Sequence, residues 1–168
     1  MPAGRQQLFD RLSALAITTT TCEHPAVFTV AQSTAIERAI PGGHTKNLFL
    51  VDAKGAMFLV VAESDTRVDL KALAGRLGAA RFSFGKADLL MEVLGVAPGS
   101  VTAFAAMNDT GQRVRVVVDA RLLRHEVINA HPLENTATTS ISREDLMRFL
   151  RHSGHEPLIV DMTAPGDS

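Results

Sequence analysis

Pro41-Gly42-Gly43-His44-Thr45-Lys46-Asn47-Leu48-Phe49-Leu50-Val51 runs from a turn signal through a polar cluster directly into an apolar segment. The paired glycines permit backbone angles closed to other residues and allow a ligand close to the main chain. His44, Thr45, Lys46 and Asn47 offer four different polar side chains in succession. The apolar run after them can be buried on both faces, so it reads as an interior strand with the polar cluster where a loop meets it. That junction suits a binding site, and it equally suits a surface turn before a core strand. Leu48 to Asp52 and Ala56 to Ala62 flank Ala53-Lys54-Gly55, which makes them the arms of a β-hairpin with Gly55 at the positive φ.

Outward from this hairpin, helices and strands alternate without a regular βαβ period. Upstream, Leu8, Leu12 and Leu15 recur at helical spacing and predict a helix from Arg5 to Ala16, ending in the extended run Thr18 to Thr21. Glu23-His24-Pro25 forces a non-helical link, and Phe28 opens a short strand. Thr29 and Gln32 form a capping box for a helix through Ala39. Downstream, Asp69 caps a helix that stops at Gly78, Ala80 to Phe84 is a short strand, and Lys86 to Leu94 is a helix ended by Gly95. A turn at Pro98-Gly99 precedes Ser100 to Met107. Val114 to Val118, Val127 to Leu133, Ala137 to Ile141 and Leu158 to Met162 read as strands, with a turn of helix at Ala120 to Leu123 and a helix capped by Ser142 and stopped by Gly154. The pattern predicts an α+β (mixed α/β) fold, a single domain whose mixed, partly barrel-like β-sheet is flanked by helices, rather than a doubly wound sheet. Residues 1–162 form that domain and 163–168 a loose C-terminal tail.

The 168 residues carry a net charge of -1, so no broad basic field advertises nucleic-acid binding and any such partner must be gripped locally. Trp and Tyr are absent, which leaves Phe, His or Arg as stacking surfaces and disfavours indiscriminate single-strand binding. No apolar run approaches the roughly 20 residues of a membrane span, and the N-terminus lacks a signal-peptide core, so a soluble cytoplasmic protein is expected. A single cysteine excludes an internal disulfide framework. None of the helices carries a long heptad seam, which fits a monomer or weak dimer.

Walker, dinucleotide-binding, His-Glu-x-x-His and Gly-x-Ser-x-Gly patterns are all missing. His152 and His155 stand close together without a third ligand nearby, so no metal is expected, and no cofactor either. Cys22 and His24 could share one face of an extended segment as an activated thiol, but a packed cysteine is the simpler reading. Two polar clusters remain: His44 to Asn47, and Asn129-Ala130-His131-Pro132 with Asn135 to Thr139 beyond. Both adjoin strands and could converge at one mouth of the sheet. There a lysine would supply positive charge for a phosphate or oxyanion, while His and Asn orient a carbonyl or amine. A hydrogen-bonded structural histidine is the alternative for His131.

Five blocks in order, His24-Pro25-Ala26-Val27-Phe28-Thr29-Val30, Gly42 to Leu50, Val68-Asp69-Leu70-Lys71, Leu94 to Thr102 and His131-Pro132-Leu133, resemble free-standing relatives of the bacterial prolyl-tRNA synthetase editing domain. The resemblance implies that family's fold and a trans-editing aminoacyl-tRNA deacylase that clears mischarged tRNA(Pro). The Gly-Gly-His-Thr-Lys-Asn and His-Pro-Leu set looks most like members that remove alanine, while close relatives remove cysteine or other small residues such as serine. By the same analogy, Lys46 contacts the 3′ end of the substrate, Asn47 and His131 hold the aminoacyl moiety, and His44, Thr45, Gly99, Ser100 and Thr136 assist in binding. Gly99 begins a loop of family pattern Gly-x-x-x-Pro whose last position here is Ala103, a departure that removes a fixed φ and frees an N–H.

An aminoacyl ester is already activated, and its terminal ribose carries a neighbouring hydroxyl that can deliver water or attack within the molecule. A protein nucleophile is then unnecessary, and the burden falls on orientation and charge stabilisation. The partners implied are the acceptor end of mischarged tRNA(Pro) and a prolyl-tRNA synthetase or another tRNA carrier, with no membrane. A non-catalytic module that captures charged tRNA or a synthetase, and a hydrolase of an unrelated small ester, are the competing readings.

Overall fold

The computed structural model describes residues 2–27 and 29–163. The short strand expected at Phe28 and tail residues 164–168 lie outside the described residues. In chain order the elements are α1 (Arg5–Ala14), β1 (Thr20–Glu23), α2 (Val30–Ala39), β2 (Gly43–Asp52), β3 (Met57–Glu63), α3 (Leu70–Leu77), β4 (Phe82–Phe84), α4 (Ala87–Leu94), β5 (Val114–Asp119), β6 (Val127–Ala130), β7 (Ala137–Ser142), α5 (Arg143–His152) and β8 (Leu158–Val160), with 3-10 turns at Ala103–Asn108 and Leu122–Arg124.

The strands form one mixed sheet in the order β1-β7-β6-β2-β3-β5-β8, with β4 also paired to β2. β3 runs antiparallel to β2 and parallel to β5, while β6 runs parallel to β2. The hairpin read from the sequence is thus the centre of the sheet. Alternation along it feeds two cores: Phe49, Leu59 and Val61 face one, with Leu8, Phe104 and Phe149, and Leu50, Phe58 and Val60 face the other, with Leu73 and Met162. The sheet does not close into a barrel, because its path ends at the separate edge strands β1 and β8.

What replaces closure is a split beside β2. Its edge away from β3 pairs with β6 only at Gly43 and His44, and with β4 only from Leu50 to Asp52. Over residues 45–48 that edge has no strand partner among the described residues.

Several sequence expectations shift in register. β2 begins at Gly43, so His44 to Asn47 belong to the strand itself and not to a loop before it. α1 ends at Ala14, since Ala16 turns to φ 58 and the Ile17 N–H returns to the Leu12 carbonyl. β6 stops at Ala130: Pro132 has no N–H to continue a ladder, and Leu133, at φ 70, folds its N–H back onto the His131 carbonyl. Thr163, expected in the loose tail, is buried with its N–H and hydroxyl on Asp161. The cap assignments at Thr29, Asp69, Gly78, Gly95 and Ser142 hold as read.

Candidate active site

The split places the polar face of β2 beside the end of β6. His44, the second residue of β2, donates from Nε2 to the Ile40 carbonyl at 2.8 Å, closing the turn from α2. The Thr45 hydroxyl donates to the Asn129 carbonyl at 2.9 Å, holding the two strands together where their ladder ends. The His44 carbonyl takes an N–H from Ser64 on the β3 side, and the Phe49 carbonyl takes one from Gly85 on the other side. Strand alternation therefore aims the main-chain N–H and C=O of Asn47 into the split. The Asn47 amide nitrogen lies 3.5 Å from the Thr45 hydroxyl, and its Oδ1 is buried without a hydrogen-bond partner among the described residues.

His131 sits in the tight turn just past β6. Its Nδ1–H donates to the Ala137 carbonyl at 3.0 Å, which leaves Nε2 with its lone pair. Its own carbonyl accepts the Thr102 hydroxyl at 2.7 Å. Burial is the main influence holding the His131 pKa below its ordinary value; the bond to Ala137 opposes this, and His24 and His44 reinforce it. The His24 ring is 6.4 Å from that of His131 and bonds the Thr138 hydroxyl through Nε2 at 2.8 Å.

Two pockets meet at Thr45 and His131. The smaller, about 40 Å³, is lined by His44, Asn129 and Thr138 and walled by Ser33, Ile36 and Glu37 of α2. The larger, about 210 Å³, is lined by Lys46, Asn47, Gly99 and Val101. Lys46 forms no ion pair among the described residues.

Of the residues singled out from the sequence, Lys46, Asn47, His131, His44, Thr45 and Gly99 thus converge here. Ser100 and Thr136 line neither pocket. Ser100 follows Gly99 in a turn, with its N–H on the Ala97 carbonyl. Thr136 is exposed and its hydroxyl accepts from Arg5.

Gly42 uses the backbone freedom expected of it, at φ +110, but the space beside the paired glycines is not left for a ligand. A Cβ at Gly42, which has φ +110, would come within 2.8 Å of the Val127 carbonyl oxygen, and a Cβ at Gly43 within 2.5 Å of the His125 ring. Val127 at the start of β6 and the His125 ring just before that strand fill the space. Asn129 completes the clasp by donating to the carbonyls of Pro41 and Gly43 at 3.0 and 3.1 Å.

Ala103, where the family loop pattern has proline, is the first residue of a 3-10 turn capped by the Thr102 hydroxyl. At that position a proline's missing N–H would cost no helical bond, so alanine keeps the local geometry. Cys22, expected to pack, is exposed on β1, and His24 is engaged with Thr138 instead. His155 is held by Asp109 at 2.8 Å and by Ser153 at 2.9 Å, and no group of three or more His, Cys, Asp or Glu suited to a metal occurs among the described residues. The α2 wall, Ser33, Ile36 and Glu37, escaped the sequence reading. The capping box located the helix, but no residue of it is buried, so no apolar stripe announced which side packs.

Comparison with known proteins agrees with this architecture. Residues 24–149 match the model of the aminoacyl-tRNA editing domain. The chain is 40% identical over 158 residues to prolyl-tRNA synthetase associated domain-containing protein 1 of Danio rerio, covering 93% of this chain and 86% of that one. It is 36% identical over 153 residues to the prolyl-tRNA editing protein ProX of Acetoanaerobium sticklandii, covering 90% and 93%. A solved structure described as a candidate trans-editing enzyme for prolyl-tRNA synthetase superposes with a TM-score of 0.73 at 18% identity, covering 95% and 96% of the two chains. Matching sequence along most of its length and sharing the same fold, this chain belongs to the aminoacyl-tRNA editing domain family.

Proposed function

We propose that this protein is a trans-editing deacylase that hydrolyses the ester of mischarged tRNA(Pro), with Ala-tRNA(Pro) as its substrate. The observation that carries this reading is the pair of unequal pockets meeting at Thr45 and His131. An aminoacyl ester is itself two unequal parts joined at one carbonyl. The acyl group enters the cavity of about 40 Å³, room for a few heavy atoms, which suits a methyl side chain and opposes the larger proline ring. The terminal nucleotide occupies the wider pocket, where Lys46 meets its negative charge.

Among the described residues no Ser or Cys lining either pocket is hydrogen-bonded to a histidine, Ser33 lying against Glu37 instead, and the chemistry needs no such pair. Neutral His131 offers Nε2 to a proton of water or of the neighbouring ribose hydroxyl. Asn47 brings the Oδ1 that has no partner and the main-chain groups facing the split, which hold the aminoacyl moiety at the junction. Lys46 offsets charge that develops as the ester is attacked. The same family membership supports the acceptor end of tRNA(Pro) as the nucleic-acid partner and a prolyl-tRNA synthetase as the carrier.

The test is release of labelled amino acid from Ala-, Cys-, Ser- and Pro-tRNA(Pro). Loss of alanine with proline spared is expected, and Lys46→Ala should slow it by at least about tenfold, roughly 1.4 kcal/mol of transition-state stabilisation, with an unchanged melting temperature. Turnover by Lys46→Ala at the wild-type rate would remove Lys46 from the mechanism. Survival of every ester would favour a module that binds charged tRNA without turnover.

A further inference from the structure

We propose that Glu37 is the counter-ion for the free α-ammonium of the aminoacyl ester, and that the protein thereby selects esters whose amine is unmodified. The assignment rests on the deacylase reading above.

Among the described residues Glu37 is the single carboxylate lining either pocket, and it lies in the small one, which no Lys or Arg lines. Its Oε1 accepts the Ser64 hydroxyl, and its Oε2 lies 3.5 Å from the Ser33 hydroxyl. Among the described residues it pairs with no cation. A half-buried carboxylate oriented by two neutral hydroxyls has acceptor capacity to spare. The two pockets therefore carry opposite charge, Glu37 in the smaller and Lys46 in the larger, on either side of Thr45 and His131.

The substrate has the same polarity. Its nucleotide is anionic, its ester carbonyl is central, and its α-ammonium is one bond beyond the α-carbon. With the nucleotide beside Lys46, the ammonium enters the small cavity, where an enclosed cation without a counter-charge would be costly. Glu37 supplies that charge through a charge-assisted hydrogen bond. The contact cannot separate alanine from proline, since both amines are cationic, so cavity size retains that task. It does separate a free aminoacyl ester from one whose nitrogen is acylated, as in a growing peptide, because an amide carries no charge and adds bulk.

The experiment compares Ala-tRNA(Pro) with N-acetyl-Ala-tRNA(Pro) for the wild-type chain and for Glu37→Gln, which keeps the shape and can still bond Ser64 and Ser33. Wild type should cleave the free-amine ester roughly 10- to 100-fold faster than the acetylated one. Glu37→Gln should lose most of that preference by slowing only on the free amine, while its melting temperature stays at the wild-type value. Unchanged discrimination by Glu37→Gln, or equal cleavage of both esters by the wild type, would overturn the role of Glu37 and leave the deacylase reading intact. A wild type that cleaves neither ester would overturn the deacylase reading and this assignment with it.

Discussion

At the scale of the residue, His131 carries the sharpest consequence of its surroundings. Burial is the main force keeping its imidazole neutral, with His24 and His44 adding to it, so Nε2 remains a proton acceptor below the pH at which a free histidine charges. Deacylation is therefore expected to stay level from neutral pH down past about 6.5 and to fall only under more acid conditions. A pH–rate profile that drops at or above 6.5 would contradict the assignment. Linkage gives the matching stability effect. The unfolded chain takes up this proton at a higher pH than the folded chain, so stability is fully present above about 6.5 and is lost as pH falls through the depressed folded value. Thermal melts of His131→Gln should show a weaker acid dependence across that window.

At the scale of the element, the site depends on how closely β6 lies over the start of β2. Gly43 is needed for space and Gly42 for both space and its φ of +110. Gly43→Ala drives its Cβ against the His125 ring, 2.5 Å away, and is expected to cost roughly 1–3 kcal/mol, a fall in melting temperature of roughly 2–12 °C. Removing the ring should restore most of it, so Gly43→Ala with His125→Ala should melt near His125→Ala alone. The same strategy must fail at Gly42, where the obstacle includes the Val127 carbonyl and a left-handed backbone. If the double variant at 43 and 125 is as unstable as Gly43→Ala, the cost is not the steric one. α2 shows the opposite dependence: no residue of it is fully buried, and Glu37 ties its half-buried side to the residue after β3 by accepting the Ser64 hydroxyl.

At the scale of the whole molecule, charge sets the manner of binding. With a net charge of -1 and Lys46 the single Lys or Arg lining the two pockets among the described residues, few phosphates can be neutralised at the site. The kcat/KM for the mischarged tRNA is expected to fall by less than about tenfold between about 50 and 200 mM salt. A steeper fall would reveal a wider basic contact with the tRNA body. No helix among the described residues is long and apolar enough to cross a membrane. Local signals in the sequence, each needing only a few neighbouring residues, determined the caps at Thr29, Asp69 and Ser142, the hairpin through Gly55 and the strand of Val114 to Val118. They also singled out Lys46, Asn47 and His131 at the ends of apolar runs, legible without a partner in view, although β2 takes in Lys46 and Asn47 and β6 stops short of His131. The split beside β2, the divided pocket and the entry of Glu37 into it were decided by tertiary structure alone. Each depends on which distant strand takes the free edge of β2 and which side of an exposed helix meets it, and those pairings are fixed by packing between segments far apart in the chain.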